Sequence, residues 1–381
     1  MTLSPMLVIR ISMRSGYRCA VVNDARGTLL QVREQVHSEL TSYLTLQREY
    51  LSGIGSELIP VCDALESFLL EGGKRLRPLF AYAGFTATGK VPTPADIRAF
   101  TSLELLQACA LIHDDLMDRS DTRRGKPAIH RHFENLHQSE TMSGLADQFG
   151  ESAAVLLGDL ALVWSDHLLH TSGVSDAALL SVLSVHDEMR IELMAGQYLD
   201  VREAGEKTPS VDRSLRIARY KSGKYTIERP LHLGASLAIT NHKERSQLIN
   251  VLSAYGLPLG EAFQLRDDIL GIFGDTSVTG KPAGDDIREG KRTVLMAMTL
   301  ERADQKTSTK ITAALGRADL TSDEIEDIRG LITATGAVKD VEDLIEGLLS
   351  NALTAANSAE INPSARELLI ELATTATRRS H

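Results

Sequence analysis

Several things are scarce in this 381-residue chain, and each absence narrows what it can be. Its three cysteines, Cys19, Cys62 and Cys109, are widely spaced, with no CxxC pair and no adjacent histidine. That excludes a structural zinc site and fits a reducing, cytoplasmic setting. No run of 18 apolar residues free of charge occurs, so no transmembrane segment is expected and any membrane contact would be peripheral. The mildly apolar stretch from Met6 to Val22 is interrupted by Arg10, Arg14 and Arg18 and is followed by no small-residue cleavage site, which sets residues 1–27 apart as a flexible N-terminal extension. A basic excess is also missing. With 41 Lys and Arg against 51 Asp and Glu, the net charge of −10 argues against nucleic acid as a general partner, because phosphate backbones are bound through clustered cations. Alternating Val/Ile-rich strands are absent throughout.

What remains is helical periodicity. Hydrophobic residues make up 43% of the chain, ample for a large core. Apolar positions recur at helical spacing from Leu29 to Leu70 with a break at Gly53 to Pro60, then over Arg77 to Thr88, Ile97 to Asp118, Gly150 to His170, Asp176 to Leu199, Leu248 to Leu270 and Val294 to Leu300. The last third continues as helices with polar connections. The expected fold is all-α, one domain over residues 28–381, with sites built between facing helices.

Charge is concentrated at two helix ends. The first carries Asp114, Asp115 and Asp118 after a Leu/Ala-rich stretch; on a helix, residues four apart share a face, so Asp114 and Asp118 project together while Asp115 turns about 100° away. Such a pair suits magnesium, which takes one or two carboxylates and leaves its other positions to water and phosphate oxygens. A solvated acidic helix end accounts for the same residues, but Arg119, Arg123, Arg124 and Lys126 follow at once, and adjoining acidic and basic clusters suit a metal-bridged diphosphate. The second end carries Gln264, Asp267 and Asp268, and leads into a Gly/Pro-rich loop with Lys281, then Asp285, Asp286, Lys291 and Arg292. Upstream, Gly72-Gly73-Lys74-Arg75-Leu76-Arg77-Pro78 combines close backbone approach with phosphate donors, although a helix cap with a solvated basic end reads the same way. Asp159, after Gly158, is a lesser candidate for a polar cavity, with a buried, hydrogen-bonded aspartate as the plainer reading. Glu192, Gln197 and Asp200 end another helix, and Lys221 and Ser222 could reach an anion from the segment after it.

Taken in order, GGKRLRP, DDLMD with RRGKP, YKSGKYT, FQLRDD and GKPAGDDIREGKRT resemble the trans-isoprenyl diphosphate synthase, or polyprenyl synthetase, family over nearly the whole chain after the extension. The resemblance implies a helical bundle of the isoprenoid synthase type with a central cavity, a homodimer, and condensation of isopentenyl diphosphate with allylic diphosphates. It makes Lys74, Arg77, Gln107 and Arg124 the isopentenyl diphosphate contacts. Arg123, Lys221, Ser222, Gln264, Lys281 and Lys291 become the allylic diphosphate contacts. Asp114, Asp118 and Asp267 become magnesium ligands, with Asp115 and Asp268 supporting; three ions per site are expected, with manganese as a substitute. Lys221, Ser222, Gln264, Asp114 and Asp267 carry the catalysis. The second motif departs from the family pattern, because Gly271 stands where a third aspartate is usual, leaving open whether Asp268 or Asp275 completes the metal shell. A class I terpene cyclase fits less well, since GGKRLRP would have no role in it. A silent partner subunit also fits less well, since both acidic motifs are kept.

Product length is expected to be read along the helix bearing Asp114, where one turn of about 5.4 Å matches one extended isoprene unit. Cys109 and Ala110 are small where farnesyl enzymes of the family commonly carry an aromatic, and Leu106 is the next plausible floor. That favours geranylgeranyl diphosphate, C20, over C25 or longer, unless Cys109 and Ala110 merely pack against a neighbouring helix.

Overall fold

The computed structural model describes residues 24–206, 208–274 and 284–378. The extension up to residue 23, the loop holding Asp275 and Lys281, and the last three residues of the tail lie outside the described residues. The described chain is helical almost throughout. Helices α1 (Ala25–Ile54), α2 (Ile59–Leu70) and α3 (Leu76–Thr86) lead into α4 (Pro94–Met117), followed by α5 (Ile129–Ser139), α6 (Ala146–His170), α7 (Asp176–Ala204) and α8 (Val211–Ile217). A π-helical segment, Ala218–Glu228, joins α8 to α9 (Arg229–Ala238), and α10 (His242–Phe273) follows. The remainder comprises α11 (Asp285–Glu289), α12 (Val294–Arg302), α13 (Gln305–Ala314), α14 (Ser322–Ala334), α15 (Ala337–Ala356) and α16 (Pro363–Thr377).

Helix α4 is the axis of the bundle. It starts at a capping box in which Thr93 and Asp96 satisfy one another's backbone donors, with Pro94 in the first turn, where a missing N–H costs nothing. Thr101, Ser102, Leu103, Leu105 and Leu106 are all fully buried, so apolar contact surrounds the helix, as expected of one at the centre. One side of α4 joins a core with α3, α7, α9 and α10. Its other side joins a second core with α1, α2, α5 and α6. A third core lies beneath the C-terminal half of α10, against α12 to α15.

Two features were not anticipated from periodicity. Helix α5 holds itself in place with only Ile129 and Phe133 as buried apolar residues among polar neighbours, too sparse a pattern to stand out. The basic run after α4 folds into a two-residue hairpin, Thr122–Arg123 paired with Lys126–Pro127, closed by Arg124 at φ 53° and Gly125 at φ 76°. Two successive positive φ angles are what a type I′ turn requires. Helix α6 is long and apolar enough by length and composition to cross a membrane, yet half of that window is buried, as in a core helix packed on α4 and α5.

Three glycines bring the π segment close to its neighbours. A Cβ at Gly196 of α7 would lie 2.4 Å from the Lys221 nitrogen, and one at Gly260 of α10 would lie 2.6 Å from the Gly223 Cα. These contacts are backbone to backbone. They fix the height at which Lys221 and Ser222 enter the bundle.

Candidate active site

A cavity of about 710 Å³ opens between the C-terminal ends of α4 and α10. Lys74, Arg77, Gln107 and Arg124 line it, as do Asp114, Arg123, Lys221, Ser222, Gln264, Asp267, Asp268 and Lys291. Residues more than 200 positions apart thus meet at one site. Lys281 lies outside the described residues, as does Asp275.

At the end of α4 the three aspartates take different roles. Asp114 Oδ1 accepts from Lys221 Nζ at 2.9 Å and from Gln197 Nε2 at 3.0 Å, while the Arg123 guanidinium lies 3.6 Å from Oδ2. Asp115 is turned away and buried, held by Arg123 Nε at 3.0 Å from both carboxylate oxygens. Asp118 returns to the Asp114 face with its Oδ2 3.2 Å from Lys291 Nζ, and that oxygen is buried without a hydrogen bond. Burial raises the Asp114 carboxyl, but Lys221, Lys291 and Arg123 outweigh it and hold the group well below the ordinary carboxylate range. Asp118 goes the other way: burial, with the like charges of Asp114 and Glu289, pushes it up to about 6 despite Lys291.

Across the cavity, Gln264 Nε2 donates to Asp268 Oδ1 at 2.8 Å. Asp268 is buried, and burial, reinforced by Asp286 and Asp267, pushes it up to about 7. The missing third carboxylate of this motif has a structural counterpart. A Cβ at Gly271 would lie 1.9 Å from Asp286 Oδ2, so a carboxylate from α11 already fills the space above that glycine. Asp286 also lies 3.6 Å from Lys291 Nζ, and Glu289 lies 2.6 Å from it.

Sequence reasoning noted Gln197 and Asp200 only as the end of a helix. Here Asp200 Oδ2 lies 2.5 Å from Lys221 Nζ, so Lys221 bridges a carboxylate on α4 and one on α7. Their i, i+3 spacing on α7 was the available signal. Tyr225 and Thr226, which also line the cavity, were read only as part of a motif.

On the basic side, the glycine-rich turn is set by a residue that never faces the cavity. Arg75, at φ 55°, is buried, donating to Glu104 of α4 at 2.6 Å and to the Leu69 carbonyl at 2.5 Å. A left-handed arginine costs about 1–2 kcal/mol, offset here by a buried ion pair that leaves Lys74 and Arg77 facing inward. Arg124 anchors to the Phe68 and Glu71 carbonyls at 3.1 and 3.2 Å.

Two expectations about the surrounding walls need correction. Cys109 and Ala110 do not both face the cavity: Ala110 lines it, whereas Cys109 is fully buried in the core against α6, with its Sγ 3.8 Å from His113 Nδ1. Leu106 is fully buried in the core shared with Leu193 and Met189 of α7. Asp159 is neither in the cavity nor buried: its side chain is 62% exposed on α6, and its neighbour Gly158 makes room for His113.

The donor set suits a hard divalent cation. Asp114, Asp118, Asp267 and Asp268 offer only carboxylate oxygens, one of them the orphaned Asp118 Oδ2. Among the described residues no group of three or more His, Cys, Asp or Glu side chains is placed to hold a metal ion by protein ligands alone.

The polyprenyl synthetase family matches residues 60–332 of the chain. A short chain isoprenyl diphosphate synthase of Methanocaldococcus jannaschii is 30% identical over 70% of this chain and 74% of its own. The farnesyl diphosphate synthase of Escherichia coli is 34% identical over 65% of this chain and 78% of its own. Among solved structures, geranylgeranyl pyrophosphate synthase from Corynebacterium glutamicum, complexed with isoprenyl diphosphate and magnesium, superposes with a TM-score of 0.88 at 42% identity, covering 92% of this chain and 99% of that one.

Proposed function

The chain belongs to the polyprenyl synthetase family and is a trans-prenyl diphosphate synthase, and from that premise we propose that it condenses isopentenyl diphosphate head-to-tail with allylic diphosphates to make chiefly geranylgeranyl diphosphate, with magnesium as its metal. The observation that carries this reading is that one cavity gathers both sets of groups: Asp114 and Asp267 line it with Lys221 and Lys291, and Lys74, Arg77 and Arg124 line it as well.

In this reading Asp114, Asp118 and Asp267 hold the metal, three ions per site, with Asp115 and Asp268 in support. When bound, magnesium neutralises the charge that develops on the diphosphate leaving group. Arg123, Lys221, Ser222, Gln264 and Lys291, with Lys281 from the adjoining loop, bind the allylic diphosphate. As the allylic C–O bond breaks, Lys221 and Lys291 strengthen their contacts with the departing oxygens, which is stabilisation confined to the transition state. Lys74, Arg77, Gln107 and Arg124 hold isopentenyl diphosphate alongside, so that its double bond attacks the allylic cation and positioning supplies much of the acceleration. The proton then lost goes to the released diphosphate.

A C20 product is supported by Ala110, which lines the cavity and leaves room beside Asp114, with Leu106 packed in the core one turn further back. The nearby C. glutamicum geranylgeranyl enzyme supports the same choice. A homodimer is supported by the outer faces of α6 and α7, where Leu156 and Val163, and Ile191 and Tyr198, stay exposed at seven-residue spacing. Cys62 and Cys109 are free thiols, in keeping with a cytoplasmic location. The deciding assay supplies purified protein with magnesium, isopentenyl diphosphate and each of the C5, C10 and C15 primers. Products identified by chain length should be dominated by C20; no condensation with any primer overturns the proposal.

A further inference from the structure

Tyr225 is the one buried aromatic residue of the π segment whose polar contacts all go to side chains lining the cavity. Its hydroxyl donates to Gln107 Oε1 of α4 at 2.7 Å. The Arg77 guanidinium carbon stands 4.1 Å above the centre of its ring, and Arg77 also donates through one terminal nitrogen to Thr226 Oγ1 at 2.7 Å. Tyr255 provides the contrast: it is equally buried, but its hydroxyl donates to the Leu369 carbonyl and takes part in packing alone.

These contacts have a directional consequence. With its oxygen turned to Tyr225, the Gln107 amide presents its N–H donors on the other side, and among the described residues no hydrogen bond takes them up. Burial keeps the phenol protonated against the opposing pull of Arg77, so it remains a donor. The stacked guanidinium is likewise fixed in plane, and its buried Nε has no hydrogen-bond partner. Gln107 and Arg77 thus both line the cavity beside Tyr225, which touches each of them, and the buried Arg77 Nε has no partner of its own. Donors so placed suit an anion.

We propose that Tyr225 is the positioning residue of the isopentenyl diphosphate site, its hydroxyl setting the Gln107 amide and its ring setting the Arg77 guanidinium so that both donate to the same diphosphate. This rests on the assignment of Gln107 and Arg77 to that substrate. It predicts that Tyr225 acts through Gln107 and Arg77 without touching the reacting carbons.

The test is a double-mutant cycle of Tyr225→Phe and Gln107→Leu, read as the two Michaelis constants and as the dissociation constant of isopentenyl diphosphate measured by calorimetry without an allylic primer, where no turnover occurs. Tyr225→Phe should weaken isopentenyl diphosphate about 3- to 10-fold, as the loss of one hydrogen bond's orientation allows, with the allylic KM moving less than twofold. Adding Tyr225→Phe to Gln107→Leu should then cost little more. Tyr225→Leu, which removes the ring as well, should weaken binding further through Arg77. Additive effects in the cycle, a parallel rise in both Michaelis constants, or an unchanged dissociation constant in Tyr225→Phe would overturn the proposal. Failure of the underlying assignment looks different: Gln107→Leu and Arg77→Ala would then leave isopentenyl diphosphate binding at the wild-type value.

Discussion

Lys221 Nζ sits 2.9 Å from Asp114 Oδ1 and 2.5 Å from Asp200 Oδ2, so one ammonium group links α4 to α7 at the position where a metal–diphosphate complex would enter. Lys291 stands in the same relation to Asp118, Asp286 and Glu289. Two lysines therefore balance acidic groups that would otherwise repel one another. In the proposed reading, carboxylates would pass to the cation on loading, and the freed lysines would pass to the diphosphate.

Removing a metal-facing carboxylate should abolish turnover without unfolding the protein. Asp114→Ala and Asp267→Ala are each expected to lower kcat by about 10²–10³-fold or more, the scale of losing one preorganised electrostatic contribution. Their stabilities should differ in a measurable way from relief of crowding alone. Asp114 is one of two counter-ions of partly buried Lys221, so Asp114→Ala should lower the melting temperature modestly, because the lysine is left with Asp200 alone. Steady-state assays in saturating magnesium together with thermal melts check both halves; near-normal turnover in either variant removes that aspartate from the metal site.

Position 271 offers a test of how the second motif is completed. Restoring the usual aspartate by Gly271→Asp places a Cβ 1.9 Å from Asp286 Oδ2 and a second negative charge beside it. The variant should be less stable and less active than the parent. Gly271→Asp combined with Asp286→Gly, which moves the carboxylate from one backbone position to the other, should recover much of the loss. Melting temperature and magnesium dependence of turnover report this, and a gain of activity in Gly271→Asp alone would contradict it.

Much of this site was legible from residue spacing, and the gaps have physical causes. The four-residue step from Asp114 to Asp118 correctly separated them from Asp115, because one helical face is a local property. The apolar periodicity from Ile97 to Asp118 similarly marked α4 to within a few positions of its observed bounds, Pro94–Met117. Asp286 over Gly271 and Asp200 beside Lys221 were not legible, because both contacts join separate elements whose relative height is set by glycine contacts in three dimensions. The π segment was hidden for a related reason: its residues have no distinctive periodicity, and its extra residue per turn is accommodated by Gly196 and Gly260 on the neighbouring helices.

The pH dependence of stability should expose Asp268. Its folded-state carboxyl is pushed up to about 7, above the ordinary value of 3.8, first by burial and then by Asp286 and Asp267, so the folded chain binds more protons than the unfolded chain between those values. Stability from this group is therefore greatest at low pH and declines as pH rises from about 4 to 7. Without metal, Asp268→Asn should melt at a higher temperature than the parent at pH 8, with the difference shrinking toward pH 5. A constant difference across that range would rule out Asp268 as the titrating group.

Separate handling of the two substrates predicts a split in Michaelis constants. Lys74→Ala and Arg77→Ala remove donors from the cavity lining, where Arg77 and Gln107 meet at Tyr225, whereas Lys221 and Gln264 bond the acidic groups Asp114 and Asp268. Each variant should raise the KM for isopentenyl diphosphate about tenfold or more, as expected for a lost charge-assisted hydrogen bond, with a smaller change for the allylic primer. Equal changes for both would mean that these residues only hold the start of α3.

Product length should follow the residues that face the cavity, and here the structure separates neighbours that spacing left together. Ala110 lines the cavity one turn before Asp114, so Ala110→Phe fills the channel beside the reacting centre and should shift the main product from C20 toward C15. Leu106, one further turn away, is fully buried with Met189 and Leu193; Leu106→Ala removes part of the floor and should lengthen the product, at a stability cost of about 2–5 kcal/mol for the cavity created. Cys109→Phe should do neither. Its side chain points into the tightly packed core against α6, beside His113, so a phenyl ring there overpacks and destabilises the bundle while leaving the channel at its original width. Product analysis starting from a C5 primer, paired with thermal melts, distinguishes the three. A shift toward C15 in Cys109→Phe, with no shift in Ala110→Phe, would place the ruler on the opposite face of α4 from the one that lines this cavity.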